Sequence, residues 1–306
     1  MRELVLGSRG SRLALWQSRH LQTRVEGLHP GLQVRLEVIQ TSGDKMKEVA
    51  LAGAGTKGVF VKEIEEALLD GRIDLAVHSL KDVPTELPAG LELGVILARE
   101  DPRDALVGRR EIDSLEDLSA GSRLGTGSLR RSVQLWHLRS DLCIEPLRGN
   151  VDTRLRKMRD NNLDGVILAA AGLKRLGLGR QISYLFPIRE MIPAVGQGAL
   201  SVEIRRHDGR VRRLLEPLED SDTRACVEAE RVFLSRMGGG CQVPMAAHAR
   251  FHDGEALFSA IVAGPSSHRL VRENYRGSRE ELADLCLHAV QSLLANGAEE
   301  MLQELG

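Results

Sequence analysis

Strand-like and helix-like segments alternate through the first hundred residues, and no other feature restricts the fold of this chain as much. Residues 4–7 read as a strand. Residues 13–28 read as a helix with Leu13, Trp16, Leu21, Val25 and Leu28 along one side. Residues 33–40 alternate through Val34, Leu36 and Val38 as a strand. Residues 59–69 read as a second helix, with Phe60, Ile64, Ala67 and Leu68 on one face and Gly71 as its stop. Residues 73–79 and 91–98 read as buried strands. This alternation predicts an α/β fold, a parallel sheet with helices on its faces.

The polar run Arg99-Glu100-Asp101-Pro102-Arg103-Asp104 interrupts the pattern and is expected to cross into a second domain. A second β–α series follows: strand 123–126, helix 128–139, strand 143–147, helix 151–160, strand 166–169 and a helix-like stretch over 172–176. The Gly/Pro-rich bend over 192–198 is expected to carry the chain back, before a strand over 199–204. From about Asp220 the character changes. A helix over 223–237 precedes three alternating strands, 245–251, 255–262 and 269–275, with a hairpin turn at Asp253-Gly254. Ser278-Arg279-Glu280-Glu281 forms a capping box for a last helix over 280–295. Strands flanked by helices predict a small α+β domain. A chain of 306 residues is too long for one small core. The expected domains are 1–98 with 197–217, then 99–196, then 218–306.

A net charge of −1 offers nucleic acid no bulk attraction. No apolar stretch reaches membrane-spanning length, and the start lacks the long apolar run of a secretory signal. A cytoplasmic location is expected. Of the four cysteines none pair as C-x-x-C, and no histidine spacing completes a zinc pattern, so no metal is expected. Cys226 and Cys286 lie in helix-like apolar patterns and Cys143 in a strand-like run, and all three are expected in the core. Cys241 differs. Gly238, Gly239 and Gly240 strip the backbone of side chains before it, and Pro244 fixes the exit. Locally, two readings stay open: a thiol presented to a bulky ligand, and a structural thiol after a helix stop.

Arginine supplies 35 of the 42 basic residues. Base composition accounts for the surplus but not for its clustering. Ligand sites in open α/β sheets lie beyond the carboxyl ends of strands. Ser8-Arg9-Gly10-Ser11, Ser79-Leu80-Lys81-Asp82, Gly125-Thr126-Gly127-Ser128-Leu129-Arg130-Arg131, Arg148-Gly149-Asn150 with Arg154, and Lys174-Arg175 all follow such strands. Singly, each reads as a helix cap or a solvated face. Together they predict one cleft for a ligand with several negative groups, which arginine forks and helix N-termini suit. Phosphate-loop and dinucleotide motifs are absent, and Gly53-Ala54-Gly55-Thr56-Lys57-Gly58 matches neither. Asp82 is the acid/base candidate. A carboxylate among cations stays ionised, which suits stabilising positive charge; the other reading of Asp82 is a salt bridge. His78, inside an apolar strand, reads as a core histidine.

These stretches, with Leu13-Ala14-Leu15-Trp16-Gln17, Lys57-Gly58-Val59-Phe60, His78-Ser79-Leu80-Lys81-Asp82-Val83-Pro84, Leu147-Arg148-Gly149-Asn150-Val151, Pro193-Ala194-Val195-Gly196-Gln197-Gly198-Ala199 and Gly239-Gly240-Cys241-Gln242-Val243-Pro244, run in order along the chain. In this the sequence resembles the porphobilinogen deaminase (hydroxymethylbilane synthase) family over nearly its full length. The resemblance implies two domains of the type II periplasmic-binding-protein kind joined by two crossings, and a third carrying the cysteine loop. It implies a dipyrromethane cofactor, thioether-linked to Cys241. It implies head-to-tail condensation of porphobilinogen, with ammonia released at each step and hydroxymethylbilane as product.

Matched position by position, the resemblance makes Asp82 the catalytic carboxylate. Cofactor binding falls to Ser79, Lys81, Asp82, Thr126, Ser128, Arg130, Arg131, Gly149 and Cys241. Substrate binding falls to Arg9, Ser11, Gln17, Lys57, Arg148, Arg154, Arg175 and Gln197, and Asp44 matches a further polar position. The implied partners are porphobilinogen and the growing pyrrole chain, with no nucleic acid or membrane, acting on a monomer. Ser42 and Gly127 depart from the family pattern, where Arg and Ser are common. Two other readings compete: a two-lobed anion-binding protein without catalysis, and a thiol enzyme. The second needs a histidine near Cys241, for which His248 is close in sequence.

Overall fold

In the computed structural model of the protein, residues 2–41, 61–238, 243–267 and 269–304 are described. The sequence-predicted positions Ser42, Asp44, Lys57, Val59, Phe60 and Cys241 lie outside them. The chain divides into two compact units, residues 1–99 with 199–224, and residues 100–198 with 225–306.

The first unit is built on a five-stranded sheet. Its elements are β1 (Arg2–Ser8), α1 (Arg12–Leu28), β2 (Leu32–Val38), α2 (Lys62–Leu69), β3 (Leu75–Ser79) and β4 (Leu91–Ile96). In chain order β5 to β9 belong to the second unit, and the first is completed by β10 (Leu200–Arg205) and α6 (Gly209–Leu215). The strand order is β2-β1-β3-β10-β4. β1 runs parallel to β2 and β3, whereas β10 is antiparallel to both neighbours. The expectation of a purely parallel sheet is therefore corrected. The returning strand inserts between β3 and β4, and a strand entering from a crossing can take either direction because no helix has to link it to its neighbour. Apolar side chains cover both faces. Leu4, Leu6, Leu21, Val25, Val77, Val202 and Val211 pack on one side, and Ile64, Ala67, Leu68, Ile73 and Ala76 on the other.

The apolar side assigned to α1 also needs correction. Trp16 and Leu28 are exposed, Leu13 is half-buried, and the buried stripe runs through Gln17, Ser18, Leu21 and Val25. Two polar residues face inward because each has a partner there. Ser18 Oγ donates to Ser8 Oγ at 2.8 Å, and Gln17 Nε2 donates to Ser79 Oγ at 2.8 Å.

The second unit holds two sheets. The larger has the order β7-β6-β8-β5-β9, from β5 (Asp104–Gly108), β6 (Arg123–Thr126), β7 (Cys143–Pro146), β8 (Gly165–Ala169) and β9 (Tyr184–Leu185). Helices α3 (Leu129–Leu138), α4 (Val151–Asp160) and α5 (Ala170–Arg175) accompany it. β6 is parallel to β7 and β8, while β5 is antiparallel to β8 and β9. Alternate residues of β8 serve different cores. Val166 and Leu168 meet Leu155, Met158 and Leu173, and Ile167 meets Leu124, Leu135 and Phe186. β5 and β9 escape the sequence reading. The apolar part of β5 is three residues long and abuts the polar crossing. Cys143, expected in the core, is exposed at the start of the edge strand β7.

The smaller sheet is an antiparallel meander, β11 (Met245–His252), β12 (Glu255–Ala263) and β13 (Leu270–Ser278). Asp253 and Gly254 both have positive φ, as a two-residue hairpin loop requires. α7 (Ser221–Arg236), α8 (Leu282–Ala295) and α9 (Ala298–Gln303) supply its helices. Phe233, Phe258, Ala289 and Leu293 form its core with Cys226 and Cys286, both buried as expected.

Candidate functional site

In the first unit, the loops after β1 and β3 leave the carboxyl ends of adjacent parallel strands. Arg9 begins the first loop, and Ser11 caps α1, its Oγ accepting from the Ala14 N–H at 3.3 Å. One turn later Gln17 reaches Ser79, the last residue of β3. Leu80, Lys81 and Asp82 then form one 3₁₀ turn. Backbone bonds fix this turn. The Leu80 N–H donates to Ala199 O at 3.1 Å and the Val83 N–H to Leu80 O at 3.1 Å. Leu80 and Val83 are buried and Asp82 is exposed, so a rigid turn presents its carboxylate to solvent. His78 is a buried histidine with a partner, as its apolar surroundings predict. Its Nε2 lies 2.9 Å from Glu203 Oε2.

In the second unit the carboxyl ends of β6, β7 and β8 gather the remaining described positions. Thr126 ends β6 and is buried, and its Oγ1 accepts from the Ser128 N–H at 3.2 Å. Ser128 is the N-cap residue of α3. After β7 come Arg148 and Gly149, both exposed. Gly149 has φ +127°, and a Cβ there would lie 2.7 Å from Thr153 Cγ2, so backbone and sterics both require glycine. Asn150 caps α4 by accepting from the Thr153 N–H at 2.9 Å, and Arg154 Nε donates back to Gly149 O at 2.8 Å. Gly127 is set by a different contact. A Cβ there would lie 2.7 Å from the Leu147 carbonyl oxygen, so the loops after β6 and β7 approach through a missing side chain.

Arg130 and Arg131 are not exposed clamps. Both are buried, on Asp104. Arg130 Nη1 donates to Asp104 Oδ2 at 2.7 Å and to Ile192 O at 2.7 Å. Arg131 meets Asp104 Oδ1 through Nε at 2.9 Å and Nη2 at 2.7 Å, while its Nη1 donates to Ile167 O. Gln197 Nε2 adds a bond to Asp104 Oδ1 at 3.0 Å and one to Pro102 O. Burial alone raises a carboxyl pKa, but the two guanidinium groups win and hold Asp104 well below the usual carboxylate range. Burial, reinforced by Arg130, pulls Arg131 below its ordinary value. Arg175 Nη2 donates to Gly198 O at 2.6 Å, and burial lowers its pKa to about 10. Lys174 pairs with Glu100 and Asp101.

Asp104 and Gln134 are the residues that sequence reasoning passed over. Gln134 accepts from the Ile192 N–H at 2.8 Å and donates to Ile192 O at 3.1 Å. Asp104 stood inside a run read as a crossing. The available signal was the pair of consecutive arginines, which cannot both be buried without an anion.

The profile described as "Porphobilinogen deaminase, dipyromethane cofactor binding domain" matches residues 4–213. A second, "Porphobilinogen deaminase, C-terminal domain", matches residues 224–295. The chain belongs to the porphobilinogen deaminase family. It is 50% identical over 305 residues to the porphobilinogen deaminase of Syntrophotalea carbinolica, covering 99% of this chain and 96% of that one. Against the porphobilinogen deaminase of Thiobacillus denitrificans the identity is 48%, covering 100% and 99%. A TRAP periplasmic solute binding protein from Desulfovibrio salexigens superposes at a TM-score of 0.42 with 13% identity, covering 71% of this chain and 72% of that one.

Each pyrrole of a dipyrromethane carries an acetate and a propionate. The charge gathered beyond the carboxyl ends of β6 and β8 suits such a group. Two guanidinium groups share one carboxylate there, which leaves one net positive charge. Cys241 lies outside the described residues.

Proposed function

We propose that this chain condenses porphobilinogen units head to tail, releases ammonia at each step and yields hydroxymethylbilane, as a transferase of tetrapyrrole biosynthesis. We assign its dipyrromethane cofactor to a thioether on Cys241. When bound, the cofactor supplies the pyrrole carbon to which the first substrate unit is joined. The observation that carries the reading is the double-arginine seat on Asp104, an edge suited to pyrrole carboxylates, in a chain of this family.

Each residue role follows from the family positions that this sequence matches. Ser79, Lys81, Thr126, Ser128, Arg130, Arg131 and the backbone at Gly149 bind the cofactor's carboxylates and pyrrole N–H groups. Arg9, Ser11, Gln17, Lys57, Arg148, Arg154, Arg175 and Gln197 serve the substrate carboxylates. Loss of ammonia from porphobilinogen leaves a cation on the substrate. The exposed Asp82 carboxylate stabilises that cation and accepts the pyrrole N–H, and the rigid turn beneath it makes the negative charge preorganised. On this reading the protein is a cytoplasmic monomer with domains 1–98 plus 197–217, 99–196 and 218–306. Among the described residues, no helix is long and apolar enough to cross a membrane.

Asp82→Asn tests the catalytic assignment. The variant keeps the shape of the side chain and loses its charge. Turnover of porphobilinogen is expected to fall ~10²–10³-fold while the fold and cofactor mass are retained. Near-normal turnover would move the catalytic role elsewhere.

A further inference from the structure

Asp104 is the first residue of β5, next to the carboxyl end of β8, where it pairs with Ala169. It is fully buried and receives three donors: Arg130 from one side, Arg131 from the other, and the Gln197 amide. Consecutive residues of a helix point about 100° apart, so two arginines in sequence do not ordinarily share a target. Here the Asp104 carboxylate draws both guanidinium groups to one place and offsets part of their repulsion. The charge balance is incomplete, since two cations face one anion. A buried excess of positive charge favours a further anion at the same point. Among the described residues the bonds of Arg130 run from Nη1 alone. Its Nε and Nη2 groups therefore remain as donors for that anion.

We propose that Asp104 is a positioning residue for carboxylate binding: it orients Arg130 and Arg131 and sets their joint charge so that the pair accepts one carboxylate of the pyrrole chain. This rests on the reading that the two arginines bind the cofactor. Asp104 does not touch the ligand; it acts through the planes of the two forks. Without it the arginines repel each other, and the second guanidinium loses the anion that turns it toward the first.

The test is the rate at which apo-protein gains the two-pyrrole mass on incubation with porphobilinogen. That rate is read by denaturing mass spectrometry and normalised to the folded fraction. Asp104→Asn is expected to load at least tenfold more slowly than wild type. Gln134→Met removes a tie between α3 and Ile192 while leaving the Asp104 pairs in place, and is expected to load within twofold of wild type. Asp104→Glu keeps the charge and moves it outward by one methylene. It is expected to fold and to load at least threefold more slowly, so it decides the matter where Asp104→Asn does not fold. Wild-type loading in Asp104→Asn or in Asp104→Glu would overturn the proposal, as would equal slowing in Gln134→Met. Arg130→Gln separates the two layers. It keeps a donor for Asp104 and drops the charge. Slow loading in Arg130→Gln with normal loading in Asp104→Asn overturns the positioning role alone. Normal loading in both removes the reading beneath it.

Discussion

Arg130 donates from Nη1 to Asp104 Oδ2 at 2.7 Å, and both side chains are buried. Arg148, matched to the same family of carboxylate-binding positions, is exposed. The two arginines therefore respond differently to substitution. Arg130→Leu breaks a buried ion pair and is expected to lower stability by about 3 kcal/mol or more. Arg148→Leu is expected to change stability by no more than about 0.5 kcal/mol. Arg148→Leu is expected to stall elongation, leaving a ladder of enzyme–intermediate masses, and Arg130→Leu to gain the cofactor mass more slowly. Thermal melts and native mass spectra check the two effects separately. Equal melting temperatures for the two variants would contradict the buried pairing.

Gly127 yields a second prediction. A Cβ at this position would meet the Leu147 carbonyl oxygen at 2.7 Å, and backbone atoms cannot swing aside as a side chain does. Gly127→Ser, which installs the residue common in the family, is expected to cost about 1–3 kcal/mol through this overlap. Denaturant unfolding checks it. An unchanged midpoint would mean that the loops after β6 and β7 move apart at no cost.

Glu65 gives a pH dependence. It lies buried on α2, and burial followed by the neighbouring Glu203 carboxylate pushes its pKa up to about 7, with Glu66 adding and His78 opposing. The folded state thus holds a proton that the unfolded chain releases near 4.5. The sign follows from linkage. The stability contributed by protonated Glu65 is complete below about pH 4.5 and is lost as the pH rises to about 7. Glu65→Gln imitates the protonated group. Its melting temperature is expected to exceed that of wild type at pH 8 and to match it at pH 4. A constant offset at both pH values would contradict the shift.

The α/β alternation was legible because strand and helix periods differ, and several elements of both units follow the pattern closely. Helix 151–160 and strand 123–126 are two cases. Three kinds of feature were not legible. Strand direction was one. β10 and β5 follow crossings, and sequence does not encode whether a returning strand runs with or against its neighbour. Polar residues facing inward were another. Gln17 and Ser18 are buried because Ser79, distant in sequence, and Ser8, on the preceding strand, wait for them. The third was the partner of the double arginine. Pattern reading located the cations beyond a strand end. That Asp104 would hold both depends on β5 lying against β8, where Asp104 pairs with Ala169 from a segment far along the chain. Cys143 shows the same limit, since an edge strand and a central strand read alike over four residues.

The central claim concerns Cys241 and is tested most directly by the mass of the purified protein under denaturing conditions. The account predicts a mass above that of the polypeptide by two linked pyrrole units. The excess should survive unfolding and dithiothreitol, because a thioether is not reducible, unlike a disulfide. Peptide mapping should locate it on the fragment containing Cys241, and not on those containing Cys143, Cys226 or Cys286. Cys241→Ala should lack both the excess mass and the activity. An anion-binding protein without catalysis would lose its ligand on unfolding. A protein of unmodified polypeptide mass with full porphobilinogen turnover would contradict the account.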